Sequence, residues 1–530
     1  MTKSEPAFLR HLHWRDLLIS ASFANLAFLR VWHDLLYFKP YAEFWMKRPP
    51  APALLFGVML DVAALALLLW GAIFWARRYL DGRYAVWGRR LFILLLIFPL
   101  NAVLQIVMVS SATLIWKAPV ELGPRRFAAF CLVVVITFAL ALIPWPKQIA
   151  RGAALFLILL SPALAATFGR AIYRASVPAP ADFADRPSAP RIPGTVSRPH
   201  LLWMIFDELD YRLAFVDRDP TVQLPELDRL KSEAFFATHA FPPSRRTPTS
   251  LPMLLTGTHI DDVIPVGHAS LLLKPADGSP PFPLDSAETV FSAARRMGLN
   301  SALVGWYLPY GRILGGQVNS CFWTPAAFTI RNSADWHSLP AAMRDEARTL
   351  FETGLLYSAL GKSLLATAHA RDYHEMFAAT QTALGNSDNN LVFVHFGIPH
   401  FPFFYNRFKG DDSGGLRTID GYLDQLVLVD RTFGALRRQM EANGTWNGTT
   451  VLLTSDHFYR SAQALDGNSD SRIPFLLKLP GQTAPLVYDR PFGTISSKAL
   501  LLAIASGTVA TPQDVAAWLD RNGAPGIPLR

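Results

Sequence analysis

An N-terminal all-α transmembrane bundle followed by a C-terminal α/β domain is the architecture this sequence predicts, and three observations predict it. Long apolar runs are confined to the first third of the chain, a proline-rich stretch ends that region, and beyond it short apolar runs alternate with amphipathic ones.

In a chain of 530 residues, 51% hydrophobic and only 17% charged residues are too apolar for a fully soluble protein, and the length calls for more than one domain. The runs 17–38, 52–76, 91–115, 127–145 and 151–173 each approach the ~20 residues that cross a ~30 Å hydrocarbon core, so five transmembrane helices are expected within residues 1–174. The first run is a full span without a small-residue cleavage site, so no cleavable signal peptide is expected. Arg77, Arg78, Arg83, Arg89 and Arg90 fill the short second loop and favour an N-terminus inside. An odd number of spans then places the C-terminal region outside the cytoplasm. Arg30 and Asp61 fall at similar depth in the first two runs, which predicts an ion pair, while His33 and Asp34 lie nearer the outer surface, where a lipid headgroup could meet them.

Pro178, Pro180, Pro187, Pro190, Pro193 and Pro199 make 175–199 an extended linker. The domain predicted over 200–530 has apolar runs at Leu201–Phe206, Ser301–Gly305, Asn390–Phe396 and Thr450–Thr454, with amphipathic stretches at Leu227–Phe236, Thr289–Met297 and Tyr422–Glu441. That alternation predicts a largely parallel, buried sheet, whose ligands gather beyond the C-terminal strand ends. Segments 259–285 and 306–350 read as variable loops, and 410–415 as an exposed turn. With Cys131 in a predicted span and Cys321 beyond the linker, the exported domain has no internal disulfide. The net charge of +9 comes from scattered basic residues without an aromatic-basic signature, which argues against nucleic acid and for anionic lipid headgroups or topology-setting loops.

Three strand ends carry chemistry. Leu201–Phe206 runs into Asp207 and Glu208, and paired carboxylates at the tip of an apolar strand call for a cation. Thr450–Thr454 ends in Ser455-Asp456-His457, oxygen and nitrogen ligands suited to zinc or manganese. Leu391–Phe396 leads to His400, with His395 inside the strand as a packing histidine. Between the first two, Arg246-Thr247-Pro248-Thr249-Ser250 precedes an apolar stretch closed by Gly257, which sets a hydroxyl where a strand end turns into a helix. There the helix dipole and free amides favour an anionic group. Asp430 reads as a helix packing residue.

Thr247, ten residues before Gly257, the Ser455-Asp456-His457 motif and the order carboxylate, nucleophile, Asp-His resemble the alkaline phosphatase superfamily. Over roughly 200–510 the motifs are similar to those of its sulfatase and phosphotransferase branches. The resemblance implies a metal held by Asp207, with Glu208 as the alternative, together with Asp456, His457 and the nucleophile Thr247. Zinc is the expected ion, with manganese or calcium as alternatives. Substrate contacts would come from His400, Arg246 and Ser250, with Arg245 a weaker candidate. A threonine cannot yield formylglycine, so the resemblance is to membrane-bound phosphoethanolamine and phosphoglycerol transferases. That implies a phospholipid donor, an envelope glycan or lipid acceptor, and a multi-pass protein of a bacterial inner membrane with a periplasmic catalytic domain. Three departures stand out: Phe458 replaces the glycine after Asp-His, no disulfide is available, and no histidine follows His457, leaving Arg460 or Arg472 as sources of positive charge. The alternatives are a phosphate or sulfate ester hydrolase and a membrane protein with a degenerate domain.

Overall fold

A computed structural model describes residues 14–36, 43–79, 83–110, 146–326, 330–350, 364–414 and 419–529. The chain divides into two compact units, one formed by 1–37, 50–178 and 329–364, the other by 38–49, 179–328 and 365–530.

The first unit is helical. Pro52–Tyr79 and Val86–Val103 are long and apolar enough to cross a membrane, and Lys147–Leu159 with Pro162–Ser176, bent by 41°, counts as a third span if the pair is continuous. This corrects the expectation of five spans: the described residues hold two or three. The run 17–38 divides into Trp14–Ala27 and Leu29–Leu36, helices too short to span. Asn25 accepts from Thr167 at 3.0 Å. The run 127–145 lies outside the described residues.

Arg30 pairs with Asp34, one turn along its own helix, at 3.0 Å, rather than with Asp61. Asp61 lies instead near Glu346 of the helix Leu339–Arg348. A Cβ on Gly57 would lie 2.7 Å from Glu346 Oε2, so a glycine there is what admits this side chain against Pro52–Tyr79. Burial, with Asp61 and Asp345 nearby, pushes Glu346 up to about 10.

The second unit is built on an eight-stranded sheet. Its strands are β1 His200–Phe206, β2 Phe235–Ala237, β3 Ser301–Trp306, β4 Ser320–Thr324, β5 Leu391–Phe396, β6 Thr449–Ser455, β7 Phe475–Lys478 and β8 Leu486–Tyr488. They lie in the order β8-β2-β7-β6-β1-β5-β3-β4. From β6 to β4 all pairings are parallel, as the continuous apolar runs predict. β7 runs antiparallel to both β6 and β2, so the whole sheet is mixed.

Alternation along β1 covers both faces. Leu202, Met204 and Phe206 join one core with the helices Pro225–Glu233, Leu364–Gly385 and Ile419–Ala442. Leu201, Trp203 and Ile205 join another with Thr247–Thr256, Val290–Arg296 and Ser497–Ala505. Each such side chain, fully buried, contributes roughly 1.5–3 kcal/mol. Residues 259–285 are not a loop: Ile260–Val266, Ser270–Pro275 and Phe282–Pro283 pair as a small antiparallel sheet. Segment 306–350 likewise contains β4 and the helices Tyr310–Leu314 and Leu339–Arg348.

Candidate active site

Parallel register assembles the site. Phe206 sits beside Ser455 of β6 and Phe396 of β5, so Asp207, Asp456 and Gly397 leave the sheet at one level. This is the strand-end position where open α/β sheets hold ligands.

Asp207, Asp456 and His457 are wholly buried, and each offers a ligand atom within 4.8 Å of the others. Asp207 Oδ1 and Asp456 Oδ2 have no hydrogen-bond partner among the described residues. A charged group left so inside a protein costs several kcal/mol unless something positive compensates it. Two carboxylates and an imidazole with orphaned oxygens fit a divalent cation. Burial pushes Asp207 upward, but the imidazoles of His400, His395 and His457 outweigh it and hold the carboxyl well below the usual range. Asp456 moves the other way, raised by burial and by the charge of Asp207. For His457, burial favours the neutral ring, yet Asp456, Asp207 and Glu208 prevail and raise it.

Thr247 opens the helix Thr247–Thr256, with extended Arg246 before it and Gly257, at φ 71°, closing it in the left-handed region that glycine tolerates. Its hydroxyl donates to Asp207 Oδ2 at 3.1 Å and lies 3.2 Å from His457 Nε2. The metal-type group and the hydroxyl, from three separate chain segments, therefore meet in space.

Other predicted residues take different places. The Glu208 carboxylate is not part of the metal-type group: its backbone is left-handed at φ 65°, and its Oε1 accepts from Arg460 Nε at 2.9 Å. Ser250 is buried and donates to the Asp456 carbonyl at 2.5 Å, bracing the helix against the end of β6 rather than facing outward. Arg246 is exposed and paired with Asp262 at 2.9 Å. Arg245 lies 5.5 Å from the centre of the Phe458 ring. His400 is half-buried, its Nδ1 against the Phe401 carbonyl, and its charge is foremost among those acting on Asp207. His395 packs behind the cluster, with Nε2 3.5 Å from Asp207 Oδ2 and Nδ1 3.0 Å from the Trp306 carbonyl. Arg472 is tied to Asp470 at 2.6 Å and to the Thr238 carbonyl at 3.1 Å.

Two tyrosines escaped the sequence reading. Tyr307 follows β3 in the left-handed region at φ 76°, where a bulky residue is strained. Burial and the charge of Asp207 push its phenol up to about 12, and Trp45 packs 5.1 Å from its ring. Its place just past a buried apolar run was the available signal, the same one that marks Asp207. Tyr422 donates to the Glu208 carbonyl at 2.8 Å, and nothing local in its amphipathic helix marked it.

The buried Asp/Asp/His group at the strand ends of this mixed α/β sheet fits a divalent metal site in an ester hydrolase-like enzyme. A sulfatase profile matches residues 199–500, more than half of the chain, and the protein belongs to the sulfatase family. No curated protein matches the chain. Similar solved structures include the phosphonate monoester hydrolase of Agrobacterium radiobacter, at 15% identity and TM-score 0.40, covering 58% of this chain and 74% of that one. The PsFucS1 sulfatase from Pseudoalteromonas sp. aligns at 14% identity and TM-score 0.40, covering 62% and 74%. An alkaline phosphatase superfamily protein from Vibrio parahaemolyticus aligns at 14% identity and TM-score 0.35, covering 58% and 66%.

Proposed function

We propose that this sulfatase-family enzyme is a membrane-bound transferase that moves a phospholipid-derived phospho-headgroup, phosphoethanolamine or phosphoglycerol, to an envelope glycan or lipid. The observation that carries the reading is a threonine, unable to become formylglycine, at a helix N-terminus with its hydroxyl in contact with Asp207 and His457. The apolar helices of the first unit and the arginines of the second loop support a multi-pass protein in a bacterial inner membrane with the catalytic unit periplasmic.

Asp207, Asp456 and His457 would hold the cation, zinc by the donor set with manganese or calcium as alternatives, and Thr247 would complete it. Such an ion supplies charge neutralisation and acidifies a bound hydroxyl. Thr247 Oγ attacks phosphorus, the bond from phosphorus to the diacylglycerol oxygen breaks, and the departing oxygen takes up the proton that Thr247 gives up through solvent. The helix N-terminus faces the anionic phosphoryl group. An acceptor hydroxyl then attacks the phosphothreonine diester, the bond from phosphorus to Thr247 Oγ breaks, and the hydroxyl's proton returns to Thr247.

Intact-mass spectrometry of the full chain incubated with phosphatidylethanolamine or phosphatidylglycerol tests this. A headgroup-phosphate adduct on Thr247, absent from Thr247→Ala, is expected, and its absence from metal-loaded wild type would sink the reading. The second reading, a hydrolase of phosphate or sulfate esters, is favoured by the sulfatase match itself. It predicts adduct turnover by water alone, with no gain in rate on adding a lipid or glycan acceptor.

A further inference from the structure

Glu208 follows Asp207 at the end of β1, and its backbone and carboxylate are held at three points, the carboxylate by a group outside the metal-type cluster. Its N–H donates to Asp456 Oδ1 at 3.3 Å and its carbonyl accepts from Tyr422 at 2.8 Å. Its Oε1 takes both Nε and Nη2 of Arg460, each at 2.9 Å. The left-handed backbone at φ 65° is unfavourable for glutamate, and these attachments hold it there. Arg460 is held from its own side as well. Tyr459, the preceding residue, stacks on Tyr422 with ring centres 3.8 Å apart and planes 9° from parallel, and Tyr422 is the residue that grips Glu208. The result is a closed bracket from Glu208 through Tyr422 and Tyr459 to Arg460.

What the bracket presents is a guanidinium. Nε and Nη2 face Glu208, whereas Nη1 has no partner among the described residues, and the side chain is 42% exposed. Its partner Glu208 follows Asp207 in the chain and donates its N–H to Asp456 Oδ1, and Asp207, Asp456 and Tyr307 lie within electrostatic range of the guanidinium, which places it near the metal-type group. Arg472, the other cation expected here, is consumed by Asp470.

We propose that Glu208 is the holder of Arg460 rather than a metal ligand, and that Arg460 Nη1 binds a non-bridging oxygen of a tetrahedral oxyanion ester at a centre holding one metal ion. This deepens the proposed function and rests on it for the placement of the ester at Thr247. A guanidinium anchored along one edge donates from the other in a fixed direction, which suits phosphoryl and sulfuryl oxygens alike.

The test uses the full chain in detergent, loaded with zinc. Metal content is read by elemental analysis and affinity for inorganic phosphate and for sulfate by calorimetry, in wild type, Arg460→Ala, Arg460→Lys, Glu208→Gln and Arg472→Ala. One zinc per chain is expected in wild type and every variant. Arg460→Ala should lose roughly tenfold or more in oxyanion affinity, Arg460→Lys should recover part of it, Glu208→Gln should fall between, and Arg472→Ala should match wild type. Tighter phosphate than sulfate supports a phosphoryl substrate at this site, and the reverse a sulfuryl one. Two zinc ions per chain with one lost in Glu208→Gln, or unchanged oxyanion affinity in Arg460→Ala, overturns the proposal. An adduct on Thr247 with unchanged affinity overturns this site alone. Weakened affinity with no adduct in wild type supports this site and overturns the transferase reading.

Discussion

Among the buried carboxylates of the catalytic unit, two places treat theirs oppositely. At the ends of β1 and β6, Asp207 and Asp456 are fully enclosed, each with an oxygen that no neighbour satisfies. On the helix Ile419–Ala442, Asp430 is only 3% exposed, but Oδ1 accepts the Leu227 N–H at 2.8 Å and neither oxygen is orphaned. A buried acid with its hydrogen bonds met is fixing two helices together. A pair of acids with orphaned oxygens, beside a histidine and a hydroxyl, fits a positive ligand.

Four measurements bear on that contrast, and the largest effect is expected at Thr247, the proposed nucleophile. Thr247→Ala should lower kcat by at least about a thousandfold, measured as ester turnover under saturating substrate, because the covalent route is gone. A smaller deficit would move the reacting group elsewhere.

Asp456→Asn should weaken zinc binding by roughly 100-fold or more in a chelator competition. The metal-free form of the same variant should melt no lower than metal-free wild type, because a buried like charge next to Asp207 has been removed. If both forms lose stability alike, Asp456 is structural in the way Asp430 is, and the contrast fails.

Asp430 provides the opposite control. Burial, outweighing the Leu227 and Glu226 amide hydrogen bonds, pushes its carboxyl up to about 7. A raised folded value means the group's stabilising share is full below its unfolded value near 4 and is lost as pH rises through 7. Asp430→Asn escapes that loss, so denaturant unfolding should find it more stable than wild type by ~2 kcal/mol at pH 8, the gap closing towards pH 4. A gap that is the same at both pH values would show that ionisation has no part in it. Zinc content should be unchanged.

The smallest effect is expected at Arg246. Its pairing with Asp262 joins two side chains more than half exposed, so Arg246→Ala should change stability by no more than ~0.5 kcal/mol. KM should likewise stay within about twofold. A large rise in KM would return Arg246 to the substrate site.

Much of the site was legible because its residues sit at punctuation marks of the chain. Asp207 follows a six-residue apolar run, Asp456 and His457 follow another, and Thr247 stands before an apolar turn closed by Gly257. Buried strands and helix ends leave such local traces, since hydrophobic period and capping act over a few residues. Glu208 and Ser250 carry the same local signal as their neighbours. Only the direction of each side chain separates them, and that depends on Arg460, 252 positions away, and on the Asp456 carbonyl, 206 away. The membrane region shows the same limit: the apolar runs were visible, but the division of 17–38 into two helices and the pairing of Arg30 with Asp34 were not.

By itself the sequence determined an apolar helical region, a sheet-based unit beyond a proline-rich stretch, and a threonine with an acid and an Asp-His pair at strand and helix ends. Tertiary structure decided that the catalytic unit includes 38–49 while 329–364 belongs to the other unit, that β7 turns antiparallel, and that Asp207 rather than Glu208 joins Asp456 and His457. The physical reason is register. The parallel pairing of Phe206 with Ser455 and Phe396 is fixed by long-range packing of two cores, and it brings residues nearly 250 positions apart within hydrogen-bonding distance.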